Sequence, residues 1–166
     1  MTDAARDASG SQKIEERLCK LEDSRAISDL LNRYVNDLDS CQWSEWERCF
    51  AEDGRAEFPF GSYEGRDGMG AWCAKNLTLF KSFVHLFGGL DIKVEGNRAT
   101  VRNNAWIACV MDPSRPHEHF DNAGNYQWEL VRSSEGWRIK GVQLKIVGLS
   151  LKAPKADPYG QPVPAR

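Results

Sequence analysis

The stretch RYVNDLDSCQW, residues 33–43, closes an amphipathic helix and decides how the rest of the chain is read. Before and within it, Ile27, Leu30, Leu31, Tyr34 and Leu38 recur at the three- and four-residue spacing of a helix that lays one stripe on an apolar surface. The stretch then presents two carboxylates, Asp37 and Asp39, and an aromatic anchor, Trp43. The surface that receives the stripe is written downstream. Residues 83–94, 98–111, 123–131 and 137–149 are long β-rich runs. The links Glu95-Gly96-Asn97 and Ser133-Ser134-Glu135-Gly136 are short enough for hairpins, which predicts an antiparallel meander. Helices first and a long antiparallel sheet after them make an α+β domain with helices packed on one face of the sheet.

Working outward, residues 1–13 are small and polar and read as a loose N-terminus. A helical pattern starts at Ile14 and continues through Leu18 and Leu21, with Ser24 able to cap a fresh turn and so break the helix near Asp23. A short helix over 43–50 places Trp43, Trp46 and Phe50 on one face. Residues 51–54 (AEDG) predict a turn, 55–60 a strand, Gly61 and Gly65 the brackets of a hairpin, and 67–80 a third helix. The domain spans 14–152. The tail, 153–166, holds Pro154, Pro158, Pro162 and Pro164 and cannot be helix or strand over any length.

At 166 residues the chain is one domain with material for a proper core. A hydrophobic content of 41% with 28% charged residues excludes disorder, and a net charge of −2 disfavours nucleic acid as a partner. Five scattered cysteines without a C-x-x-C pair read as buried thiols in a reducing compartment. No apolar run has the ~20 residues of a bilayer span, and the N-terminus lacks a signal core, so the expected location is cytoplasmic.

Of the two carboxylates, ideal helical angles of ~100° per residue bring Asp37 nearer the apolar stripe than Asp39. The spacing Asp39-Ser40-Cys41-Gln42-Trp43 points the other way. It resembles the Asp, three residues, Trp pattern of the SnoaL-like branch of the NTF2-like superfamily, the group of scytalone dehydratase, bile-acid dehydratase and lindane dehydrochlorinase. The resemblance covers roughly residues 16–151. It implies a cone in which a strongly curved antiparallel sheet wraps around helices and leaves a deep pocket. It also implies a catalytic His at the start of the first long strand, which is His85 here, oriented by Asp39. Tyr34 would hydrogen-bond a carbonyl or a departing hydroxyl.

The activity so implied is a cofactor-independent elimination of dehydratase type on a small apolar substrate. The alternatives are an isomerase, a polyketide or terpenoid cyclase, a non-catalytic binding or assembly domain, or a small subunit like those of ring-hydroxylating oxygenases. The chain departs from related dehydratases at 103–109 (NNAWIAC), where they supply a further acid or histidine. Asn103, Asn104, Trp106, Asn125 and Lys145 are the candidate substrate-binding residues of the strands, with strand parity open by one residue. His117-Glu118-His119-Phe120-Asp121 has ligand types on alternate positions but follows Pro113 and Pro116 and reads as loop, so no metal is expected. No phosphate loop or nucleotide fingerprint signals a cofactor. A bare outer sheet face predicts a homo-oligomer, a trimer first and a dimer second, and the Pro-rich tail is a candidate lid.

Overall fold

The computed structural model describes residues 3–116 and 119–150. Helix α1 (Asp3–Asp39) is followed by α2 (Trp43–Glu47), β1 (Phe50–Phe58), β2 (Gly61–Glu64) and α3 (Met69–Asn76). The strands β3 (Ser82–Phe87), β4 (Asp91–Glu95), β5 (Arg98–Val110), β6 (His119–Ser133) and β7 (Gly136–Ser150) complete the chain. One seven-stranded sheet runs in the order β2-β1-β7-β6-β5-β3, with β4 also paired to β5. The expected long first run is thus two strands that share one neighbour.

The sheet is curved and mixed rather than wholly antiparallel. β1 runs parallel to β7, with Ala56 opposite Val142, while every other pair is antiparallel. Hairpin signals report only pairings between strands consecutive in the chain. The first strand's pairing with the last is non-local and leaves no such mark. The AEDG turn is likewise corrected: it lies inside β1, where the register with β7 shifts between Phe50 and Arg55.

The helix does not break at Asp23, and residues read as loose are helical from Asp3. Instead of starting a new turn, Asp23 accepts hydrogen bonds from Arg132 (2.5 Å) and from the Trp137 indole (3.2 Å), pinning mid-helix to the sheet. Ile14, Leu18 and Leu21 consequently project into solvent, 65, 52 and 67% exposed. The second half of the stripe behaves as the spacing predicts: Ile27, Leu30, Leu31, Tyr34 and Leu38 are buried. Tyr34 sits against Trp46, Phe50 and Trp128, with ring centroids 5.0–6.0 Å apart. α2 and α3 meet closely at Gly70, where a Cβ would lie 2.4 Å from the Trp43 carbonyl oxygen and only glycine fits.

The outer face of the sheet is mostly polar, which corrects the expectation of a broadly bare apolar surface. Apolar exposure there is concentrated at Val84, Leu86, Trp106 and Val147. The Pro-rich tail and its lid lie outside the described residues.

Candidate active site

The end of α1 and the edge strand β3 meet through one carboxylate. Asp39 Oδ2 accepts the His85 backbone N–H at 2.9 Å, and Asp39 Oδ1 lies 2.5 Å from His85 Nδ1. An edge strand leaves alternate backbone donors without a partner strand, and the helix-end carboxylate takes one of them. The same group therefore anchors the strand and orients the ring. Because a carboxylate only accepts, Nδ1 carries the proton of the neutral imidazole and Nε2 carries the lone pair. The His85 side chain is 6% exposed and that of Asp39 22%.

His85 forms part of the wall of a cavity of about 320 Å³ between the helices and the concave face of the sheet. The other walls come from Tyr34 and Leu38 of α1, Phe58 and Phe60, Cys73 of α3, Phe80 and Phe83, and Ile107, Cys109, Phe120, Asn122, Tyr126, Leu144 and Ile146. Asp39 is not in the wall and stands behind the histidine. Among the described residues the lining contains no Lys, Arg, Asp or Glu. Its polar groups are His85, Asn122, two thiols and the hydroxyls of Tyr34 and Tyr126.

The family model described as a SnoaL-like domain matches residues 20–143. The chain belongs to the SnoaL-like domain family. A protein of Mycobacterium tuberculosis described as uncharacterised is 25% identical over 124 residues, 74% of this chain and 84% of that protein. Among solved structures, a hexachlorocyclohexane dehydrochlorinase superposes with a TM-score of 0.73 at 17% identity, covering 82% of this chain and 93% of that one. A predicted scytalone dehydratase from Novosphingobium aromaticivorans gives 0.71 at 22%, covering 89% and 97%. At these identities the superpositions establish a shared NTF2-like, cystatin-like fold.

Within this SnoaL-like domain Tyr34 is fully buried, lines the cavity, and its hydroxyl makes no hydrogen bond. Burial holds the Tyr34 phenol well above its ordinary range, so it stays a neutral donor. Tyr126, 2% exposed and likewise raised by burial, lines the same cavity. Asp37 is not part of the cavity wall; burial raises its pKa, the Arg33 charge opposes that shift and the Glu45 charge adds to it.

The five strand residues predicted to bind substrate are not in the cavity wall. Asn104, Trp106, Asn125 and Lys145 point outward, with Asn125 donating to Asn104 Oδ1 at 2.6 Å. Asn103 points inward, but its Oδ1 accepts the Trp128 indole N–H at 2.7 Å and its Nδ2 donates to the Asn104 carbonyl at 3.1 Å. It is a core fastener. Asn103→Ala leaves a buried indole donor unpaired and is expected to lower unfolding stability by ~1–3 kcal/mol. Asn104→Ala, on the surface, is expected to change it by less than ~0.5 kcal/mol, as read by urea denaturation.

Of the HEHFD segment, His117 and Glu118 lie outside the described residues. His119 to Asp121 belong to β6, not to a loop. His119 Nε2 is 3.2 Å from Asp121 Oδ1, and no cluster of metal-ligand type occurs among the described residues. No helix among those residues is long and apolar enough to cross a membrane.

The amide that does reach the cavity, Asn122, donates to Cys109 Sγ at 3.7 Å, which leaves its oxygen available to a ligand. Burial pushes the Cys73 thiol from 9.0 to about 12 and the Cys109 thiol to about 11. A raised pKa means that the folded state retains protons the unfolded chain would release. The associated stability is complete below pH 9 and is lost as the pH climbs through 11 to 12. The melting temperature is expected to fall between pH 9 and 11, and to fall less steeply in Cys109→Ala.

Proposed function

We propose that this SnoaL-like domain is a cofactor-independent lyase that eliminates water, or a comparable leaving group, from a small, uncharged, largely apolar molecule. The observation that carries the reading is the placement of His85, with one ring nitrogen on Asp39 and the ring itself in the cavity wall. Nε2 takes a proton from a substrate carbon, and the electron pair left behind expels the leaving group from the neighbouring carbon. Asp39 stabilises the imidazolium that forms. Tyr34, with Tyr126 beside it, donates to the oxygen on which negative charge develops, and the low-polarity wall strengthens that bond. With no cation in the described lining, an anionic substrate would lose its hydration without gaining a counter-charge.

Return of the proton to another carbon would make the same site an isomerase, and attack of the carbanion on an internal carbonyl a cyclase. All three readings require the same base. A non-catalytic binder does not. Self-association belongs to the proposal too, and the apolar patch of Val84, Leu86, Trp106 and Val147 supports it.

The test is a panel of neutral β-hydroxy ketones and their carboxylate analogues, assayed for alkene formation. Turnover of the neutral members that survives EDTA and disappears in His85→Gln is expected. Tight binding without turnover by any member would favour a binding domain, and activity abolished by EDTA would restore a metal to the mechanism.

A further inference from the structure

Two neighbouring polar groups at the back of the cavity are buried with nothing to bond. The Tyr34 hydroxyl and the Trp46 indole N–H are closed to solvent and make no hydrogen bond. The centroids of their rings are 5.4 Å apart. Tyr34 and Tyr126 both pack on the Trp128 indole, Tyr34 edge-on at 5.0 Å and Tyr126 stacked at 4.9 Å. The Trp128 N–H is itself taken by Asn103 and so serves neither phenol. Tyr34 is 0% exposed, while Tyr126 keeps 2% and belongs to the same cavity wall. An entering molecule therefore reaches the Tyr126 hydroxyl before that of Tyr34.

We infer that Trp46, Tyr34 and Tyr126 form a one-way hydrogen-bond chain: Trp46 donates to Tyr34, Tyr34 to Tyr126, and Tyr126 to an oxygen of the ligand. Its direction is set by the first member. An indole nitrogen only donates, so the Tyr34 oxygen accepts and its hydrogen points onward. The last hydrogen, on Tyr126, then points into the cavity. Within the tyrosine pair this separates the roles. Tyr126 touches the ligand, and Tyr34 and Trp46 are positioning residues that act through it. That the oxygen is one on which negative charge develops rests on the elimination proposed above; the chain itself does not.

The electrostatics run the same way. Burial holds both phenols above their ordinary range; against it, Trp46 lowers Tyr34 and Tyr34 lowers Tyr126, each as a donor within reach. Neither link has full hydrogen-bond geometry, and such contacts tighten when a ligand oxygen draws on the end of the chain. The Cys73 thiol lies near both phenols but is a weak partner. A chain that donates forward at every step also selects its ligand. A ketone oxygen only accepts and fits its end. An alcohol oxygen accepts there too, but its own hydrogen is left facing apolar wall, and an ammonium group finds no acceptor at all.

Infrared difference spectroscopy on the full chain with acetophenone, isotope-labelled at the carbonyl carbon, tests the chain without requiring turnover. In the wild type the C=O band is expected below its position in hexane, the mark of a donated hydrogen bond. Tyr126→Phe should abolish that displacement. Benzothienylalanine in place of Trp46 keeps the shape of the indole but lacks the N–H. It should reduce the displacement by about 10–30%, the share that one further bond adds in a cooperative chain. Tyr34→Phe, which removes two links, should reduce it further. Trp46→Phe repeats the loss of the N–H with a natural side chain, and melting temperatures confirm that each variant folds. His85→Gln should leave the band where the wild type has it, so this chain and the proposed base fail separately. A band that Tyr126→Phe leaves displaced overturns the proposal, and so does one unmoved by loss of the Trp46 N–H. An undisplaced band in the wild type, including one from a ketone that never enters the cavity, overturns it as well.

Discussion

His85→Gln is expected to reduce turnover by ~10²–10⁴-fold, the usual contribution of a positioned general base, with little change in melting temperature. Glutamine fills most of the imidazole volume and can still donate to Asp39, so the link between α1 and β3 survives. It has no nitrogen lone pair to offer a carbon-bound proton. The result is diagnostic because the backbone N–H of residue 85, which Asp39 also accepts, is unchanged by the substitution. Binding of an unreactive neutral analogue, followed by tryptophan fluorescence, should persist in the variant. Loss of binding together with turnover would mean that the histidine shapes the cavity rather than acting on the substrate.

Asp39→Asn is expected to be nearly as damaging, for a different reason. An asparagine oxygen can still accept the backbone N–H of His85, but its amide presents a donor to Nδ1. The ring answers by placing its proton on Nε2, the nitrogen that must be bare. A loss on the order of 10²–10⁴-fold follows from the inverted tautomer and from the missing counter-charge. Asp37→Asn should change turnover by less than about twofold. Its carboxylate is outside the cavity wall, and burial raises its pKa while the nearby Arg33 charge opposes the shift. A steady-state comparison of the two variants decides between them. Greater damage from Asp37→Asn would mean that the ideal-helix angles had named the right residue.

Strand faces were readable where the local alternation of side chains is unbroken. On β5, Ala99, Val101, Ala105, Ile107 and Cys109 alternate with Arg98, Thr100, Arg102 and Asn104, and the structure buries the first set and exposes the second. That parity alone places Asn104 and Trp106 outside. Lys145 was harder. Counting inward positions from the buried Trp137 and Ile139 along β7 points Lys145 into the core. A bulge intervenes, since Glu129 pairs with Gly141 while Leu130 pairs with Ile139, and the extra residue turns Val142, Leu144 and Ile146 inward and Lys145 out. Asn122 was obscured because the residues before it read as loop, whereas β6 begins at His119.

By itself the sequence determined the α+β order of elements, the buried stripe from Ile27 to Leu38 and the hairpins around Gly96 and Gly136. These follow from side-chain period and turn chemistry, which act within a few residues. Through the Asp39–Trp43 spacing it also led to the family. Tertiary structure alone decided the parallel seating of β1 on β7 and the continuity of α1 through Asp23, and it joins Asp39 to His85 where ideal helical angles favoured Asp37. Each depends on a contact between groups distant in sequence: Asp23 with Arg132 and Trp137, and Asp39 with the free backbone N–H of an edge strand. Such contacts form because a buried polar group must find a partner wherever the fold brings one, and local periodicity carries no record of where that will be.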